Sequence, residues 1–342
     1  MARMAFMARA VCLLIVMITG LISLTTLAAA SSLEIVPFDS INQSPFVSIY
    51  GLPSAGNFLL LAPGRTEVGM NLVLSSNYAV DENLREQITI DGETTRFTFA
   101  ARHGLLPRLE VGVAIPYIIH GGGFLDGFIE SFHSAFGFSQ GGRDQTPRNH
   151  FLYRYRRDGI DKVRVDSSGF GIGDIRLTTA FQLYQQIENH RGISLNLGIK
   201  LPTGNSEQLR GSGSTDLSVW ITGGADLGHA AGRWQSYGSA GMLFMTEGDV
   251  LPDQQRKSVG FGSLGLGWLP LPWLVLKVQA DAHTSFFRGS EFKEIAADAV
   301  QFTAGGTIAL SEGATLDMGI SEDLTVRASP DIAFYLTLRT RF

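Results

Sequence analysis

Three sets of residues in this chain have types and spacings that could do chemistry. Gly137-Phe138-Ser139-Gln140-Gly141 fits the G-x-S-x-G pattern of a nucleophilic serine, but such a serine works only on a strained elbow between a buried strand and a helix. Here the string sits in a Phe- and Gly-rich loop. Gly260, Gly262 and Gly265 fit G-x-G-x-x-G, yet no helix follows to offer its N-terminus to a phosphate, and glycines in a tightly curved strand explain them better. His103, His120, His133, His150, His190, His229 and His283 show neither H-E-x-x-H spacing nor close pairing, so they give no metal site. No catalytic, cofactor or metal residue is assigned.

The elements that would have to position a site are therefore the better guide. The chain has 342 residues with 40 glycines, 17% charged residues and a formal charge of −5, a balance that points away from nucleic acid. Arg3 and Arg9 precede an apolar run from Ala10 to Leu27, and Ala28-Ala29-Ala30 supplies small residues for cleavage. Residues 1–30 read as a secretory signal peptide. Cys12, the single cysteine, lies within it, so the mature chain is expected to have no disulfide, lipid anchor or thiolate metal site. No later apolar run reaches the length of a membrane helix, so a mature chain that spans a membrane must do so as strands.

Strand signals begin at Arg65. Val68, Met70, Leu72 and Leu74 alternate with Glu67, Gly69, Asn71 and Ser75, and similar segments recur near 97–101, 109–117, 175–181, 193–201, 217–221, 274–280, 300–308, 316–320 and 333–342. Stretches 234–245 and 259–269 are glycine-rich and ambiguous in phase; with them the count is about twelve. Where the phase is clear, the apolar face carries no charge, and the other face carries Glu67, Arg96, Arg102, Glu110, Lys200, Asp216, Lys277, Asp281, Arg339 and Arg341. Short turns near Leu106, Asn189, Ala230, Pro270 and Glu312 alternate with longer loops near Val80, across His120 to Ser168, and near Ser206, Gly248, Ser290 and Arg327. These features predict an all-β fold, a transmembrane antiparallel β-barrel over 65–342 whose inward face bears those ten residues. Residues 31–64 lack periodicity and read as an irregular segment that either plugs the barrel or lies in the periplasm.

Two features refine this reading. In the long extracellular loop 120–168, Phe124, Phe128, Phe132 and Phe136 recur every fourth residue, which predicts a short helix with one aromatic stripe: rim packing, or a lid over the pore. Beyond it, HFLYRYRRDGIDKVRVD reads as a charged hairpin turning at Asp158-Gly159, whose cations could meet lipopolysaccharide phosphates. The terminal segment AFYLTLRTRF alternates strictly and ends on Phe342. It resembles the closing strand of bacterial outer-membrane barrels, in which an aromatic last residue is the signal read by the barrel-assembly machinery.

NQSP (42–45), YGLP (50–53), DGETTR (91–96), GGFLDGFIESFH (122–133) and QGGRDQTPRN (140–149) resemble a Gram-negative family, domain-of-unknown-function family 3187. GFGIGDIRL (169–177), KLPTG (200–204) and GSGSTD (211–216) are more distantly similar to outer-membrane proteins encoded with aromatic-degradation pathways. The resemblances imply an outer-membrane location and, from the second, passage of small, hydrophobic solutes. The sequence thus predicts a restricted pore or uptake channel, surrounded by outer-membrane lipid and lipopolysaccharide and working without a cofactor. The alternatives are an outer-membrane enzyme acting on lipid or envelope substrate, and a structural or adhesion barrel.

Overall fold

The structure is a computed structural model that describes residues 33–123, 149–186, 188, 190–228, 231–324, 328–330 and 332–342. The signal peptide, the 137–141 string and the Phe124, Phe128, Phe132 and Phe136 stripe with its helix lie outside these residues. The strands are β1 (Thr66–Glu82), β2 (Glu86–Leu106), β3 (Leu109–Gly121), β4 (Leu152–Arg157), β5 (Ile160–Val165), β6 (Gly169–Ile172), β7 (Arg176–Gln186), β8 (Arg191–Lys200), β9 (Asp216–Gly228), β10 (Arg233–Met245), β11 (Ser258–Leu271), β12 (Leu274–His283), β13 (Ala299–Ala309), β14 (Ala314–Asp323) and β15 (Ile332–Arg341). All but β4, β5 and β6 form a closed antiparallel barrel of twelve strands, in which β15 returns to pair with β1. The seam runs from Glu67 opposite Arg341 to Ser76 opposite Ile332. It extends one step further, since the Thr66 N–H donates to the Phe342 carbonyl at 2.9 Å and the Phe342 N–H to the Thr66 carbonyl at 3.0 Å. Closure leaves the barrel without an unpaired edge, the condition for strands in hydrocarbon.

Side-chain direction follows the two-residue period. Phe99, Val111, Ile115, Phe181, Ile193, Ile199, Leu217, Ile221, Leu276, Val278, Phe302 and Ile320 stand exposed on the outer wall. An apolar band of that extent suits acyl chains rather than water. Near the short turns the Trp234 and Trp268 rings stack at 5.2 Å, with Trp273 exposed close by, the position of an interfacial aromatic girdle. Among the described residues no helix is long and apolar enough to cross a membrane. The one helical turn there, Lys293–Ala296, lies between β12 and β13.

The connection near Val80 is not a long loop. β1 and β2 continue to Glu82 and from Glu86, leaving only 83–85 as a turn. The geometric phase of β2 is unbroken, but its chemistry inverts: Arg96 and Thr94 face inward, and further along the same face Ile90 and Ile88 are buried while Gln87 is exposed. Above the barrel wall this ribbon behaves like a soluble sheet, apolar inside and polar outside. Hairpin β4–β5, turning at Asp158 and Gly159 with positive φ, pairs with this extension of β2. Its Arg154, Arg164 and Lys162 are engaged by Asp161, Asp166 and Asp253.

The largest apolar core caps the loop end. Tyr153, Tyr155, Ile88, Ile90, Leu243, Val250, Leu251, Phe286, Phe287, Phe292 and Ile295 pack there around Phe46, Ile49, Tyr50 and Leu52 of the N-terminal segment. The barrel is thus closed at this end by a dome made of loops, a hairpin and part of its own N-terminus.

Candidate functional site

Residues 33–64 enter the barrel at the turn end, climb one wall, turn beneath the dome and descend the other wall. The ascent keeps step with β12: Lys277 Nζ donates to the Val36 carbonyl, the Phe38 N–H to Gln279 Oε1, Ser40 Oγ to Asp281, and Asn42 meets His283. Each contact advances both chains by two residues, so inward-pointing polar side chains of one strand serve a neighbouring extended segment. Residues 44–50 form the turn. On the descent the Gly51 N–H donates to Asp216, Ser194 and Thr222 donate to the Asn57 carbonyl, Gln182 bonds Phe58 and Leu60, and the Leu61 N–H donates to Glu110. Irregular backbone inside a barrel must find partners in the wall, and these polar side chains supply them.

Two glycines make room for this plug. A Cβ on Gly267 would lie 2.2 Å from Ile35 Cγ2, and one on Gly224 would lie 2.4 Å from Phe58 Cε1. The glycine-rich strands β9 and β11 are therefore sockets for apolar plug residues as well as curved wall.

Between the descending limb and strands β1–β3, β7–β9 and β15 remains a cavity of about 250 Å³. Six of the ten candidate inward residues line it, namely Glu67, Arg96, Arg102, Glu110, Lys200 and Arg339. Arg102 bridges Glu67 at 2.7 Å and Glu110 at 2.9 Å, and Arg341 reaches Glu67 from the seam. Lys277 and Arg339 share Asp317 at 2.8 and 3.2 Å, with Arg339 also on Asp39 at 2.7 Å. Asp281 serves the ascending limb through Ser40. Phe342 sits at the rim of the turn end with its ring exposed.

Lys200 and Asp216 belong to a buried knot joining the three pathway-like motifs. Lys200 Nζ lies 2.5 Å from Asp174, 3.4 Å from Asp216, 2.6 Å from Ser212 Oγ and 2.8 Å from the Ser214 carbonyl. Asp174 comes from 169–177, Lys200 from 200–204, and Ser212, Ser214 and Asp216 from 211–216. A Ser–Lys couple needs the amine free to take the serine's proton. Here Asp174, Asp216 and the Ser214 carbonyl all engage it, so the knot ties three segments together rather than activating a serine.

Three important residues, Asp174, Arg176 and Asp317, lie on the polar face of the strand pattern but are absent from the candidate set; their pairing partners distinguish them only in three dimensions. Trp220 falls on that same inward face beside Asp216 and Ser218, whereas Asp39 lies in the segment without periodicity and was not legible at all. Among the described residues no three His, Cys, Asp or Glu side chains gather as a metal site requires, and the Gly260, Gly262 and Gly265 string lies within β11 with no helix after it.

The closed circuit, outward apolar band and inward charged wall define an outer-membrane-type β-barrel. The chain belongs to the family described as "Protein of unknown function (DUF3187)", whose model matches residues 11–342. No curated protein matches it. Its fold is similar to that of the COG4313 outer membrane channel from Pseudomonas putida F1, at 13% identity and a TM-score of 0.52, covering 84% of this chain and 98% of that one. Lower similarities include the Ralstonia pickettii toluene transporter TbuX, at 11% identity and a TM-score of 0.37 over 82% of this chain and 90% of that one. The KdgM porin in complex with oligogalacturonate gives 5% identity and a TM-score of 0.42 over 81% and 99%.

Proposed function

We propose that this chain is an outer-membrane channel for small solutes, closed at rest by its own N-terminal segment. The observation that carries the reading is the way the plug is held. Apart from the apolar apex under the dome and the socketed Ile35 and Phe58, its limbs meet the wall largely through single hydrogen bonds from polar side chains to backbone, each a net contribution of roughly 0.5–1.5 kcal/mol, or 1.5–3 where a charge takes part. Such contacts can be exchanged for water one by one. The 250 Å³ cavity beside the plug leaves open, charge-lined space along one side of the lumen. The similarity to a solved outer membrane channel supports this reading, with the dome facing the exterior and both chain ends the periplasm. The distant pathway resemblance adds that the solutes are partly hydrophobic. The paired state of Lys200 weighs against the enzyme alternative.

Liposomes carrying the purified full chain should swell in isosmotic solutions of small solutes and not of large oligosaccharides. A folded barrel that leaves every solute excluded would refute the channel.

A further inference from the structure

The cavity holds two arginines that make no salt bridge among the described residues. Arg102, Arg339 and Lys200 are each held by two carboxylates. Arg96 and Arg176, on β2 and β7, lie close enough to feel each other's charge, and no carboxylate among the described residues forms a salt bridge with either; Asp174 acts on both from further off and Asp216 on Arg176. Arg96 is only 4% exposed, and its Nη2 donates to the Ser48 carbonyl at 3.0 Å. Arg176 donates to the Leu52 carbonyl at 3.1 Å and the Tyr50 carbonyl at 2.9 Å. In both, the buried Nε–H has no partner, and neither has the indole N–H of Trp220 on the same cavity.

A guanidinium offers five N–H donors, so one or two bonds to plug carbonyls leave most of each group unspent. Carbonyls also bring no countercharge, and a buried cation without one is strongly disfavoured. Two neighbouring guanidinium groups without a salt bridge, on a cavity that the Trp220 side chain also lines, suit an anion. Pro53, Val73, Pro116 and the Trp220 ring also line the cavity, which gives the ligand's remainder an organic surface to lie on. At about 250 Å³ the space is smaller than the roughly 300–1,000 Å³ of drug-sized sites.

We infer that Arg96 and Arg176 form a binding site for a small organic carboxylate within the lumen. The inference rests on the channel reading and deepens it: the solute is amphiphilic, its carboxylate on the arginines and its apolar body against Trp220 and the prolines. Because the same guanidinium groups hold Ser48, Tyr50 and Leu52, an arriving carboxylate competes with the plug apex for their donors.

The test is isothermal titration of the purified full chain in detergent with benzoate, its neutral isostere benzamide, and inorganic phosphate. Benzoate should bind saturably, at least tenfold more tightly than either control. Arg96→Gln and Arg176→Gln should each weaken benzoate at least tenfold, in protein whose heat-modifiable gel migration shows a folded barrel. Equal binding of benzoate and benzamide, phosphate binding as tight as benzoate, no saturable benzoate binding, or wild-type affinity in both glutamine variants would each overturn the site. Should the variants fail to fold, the benzoate–benzamide comparison on the wild type decides alone. Liposome permeability on the same samples separates the two readings: swelling without benzoate binding defeats the carboxylate site only, and arginine-dependent binding without permeability defeats the channel only.

Discussion

The carboxylate of Asp216, on β9, accepts the N–H of Gly51 at 2.7 Å while Lys200 lies 3.4 Å from the same oxygen. One residue thus couples the apex of the plug to the buried knot in the wall. A hydrogen bond to a charged group contributes roughly 1.5–3 kcal/mol. Asp216→Ala should therefore shift the plug toward release by about tenfold or more, with Asp174 still holding Lys200 in a folded barrel. Faster proteolysis within residues 44–57 would register that release; an unchanged cleavage rate would place the latch elsewhere.

A second prediction concerns the sockets. Any side chain at Gly267 meets Ile35 at 2.2 Å, closer than real contacts allow, and overpacking of this kind costs about 1–3 kcal/mol. Gly267→Leu should eject the start of the ascending limb while sparing the strands. Thermal unfolding of the barrel close to wild type, together with new protease sensitivity near Ile35, is the expected pair of results.

The wall itself can be tested at two neighbouring residues. Leu195 faces outward, and Asn196 faces the cavity, 6% exposed. An arginine at Leu195 places charge in hydrocarbon, at about 2–4 kcal/mol near the midplane, whereas at Asn196 it meets a polar interior. Folding yield in lipid vesicles should fall for Leu195→Arg and stay near wild type for Asn196→Arg. The reverse order would mean that the apolar face is not the lipid face.

Phe342 offers a fourth case. Its backbone closes the seam with Thr66 while its ring remains exposed. Phe342→Ala keeps both backbone hydrogen bonds and removes only the ring. If the ring is an assembly signal, the variant should accumulate poorly in cells yet refold in vitro like the wild type. Equal loss in both settings would make the ring a structural element.

The strands were legible because one face lacks charge over many two-residue periods; where that regularity broke, physical causes are visible. Gly265 and Gly267 blur the phase of β11 because the plug and the Tyr237 ring occupy the space their side chains would take. The tip of the β1–β2 ribbon reads as a loop because Ile88 and Ile90 turn inward under the dome, reversing the chemistry of the stripe. The plug was the hardest part to read. Lys277, Gln279, Asp281 and His283 would look the same lining a water-filled pore as they do holding residues 36–42, and nothing local in an irregular segment reports that the wall supplies its hydrogen bonds. Arg176 and Arg96 likewise share one sequence pattern with Arg102 and Arg339, and only the pairing in three dimensions sets them apart.

Single-channel recording of the full chain beside a chain lacking residues 33–64 tests the self-plugged channel most directly. The full chain should show low, intermittent conductance, and the shortened chain a larger and steadier one, both in barrels with normal heat-modifiable migration. Identical traces from the two proteins, or silence from a correctly folded shortened barrel, would contradict it.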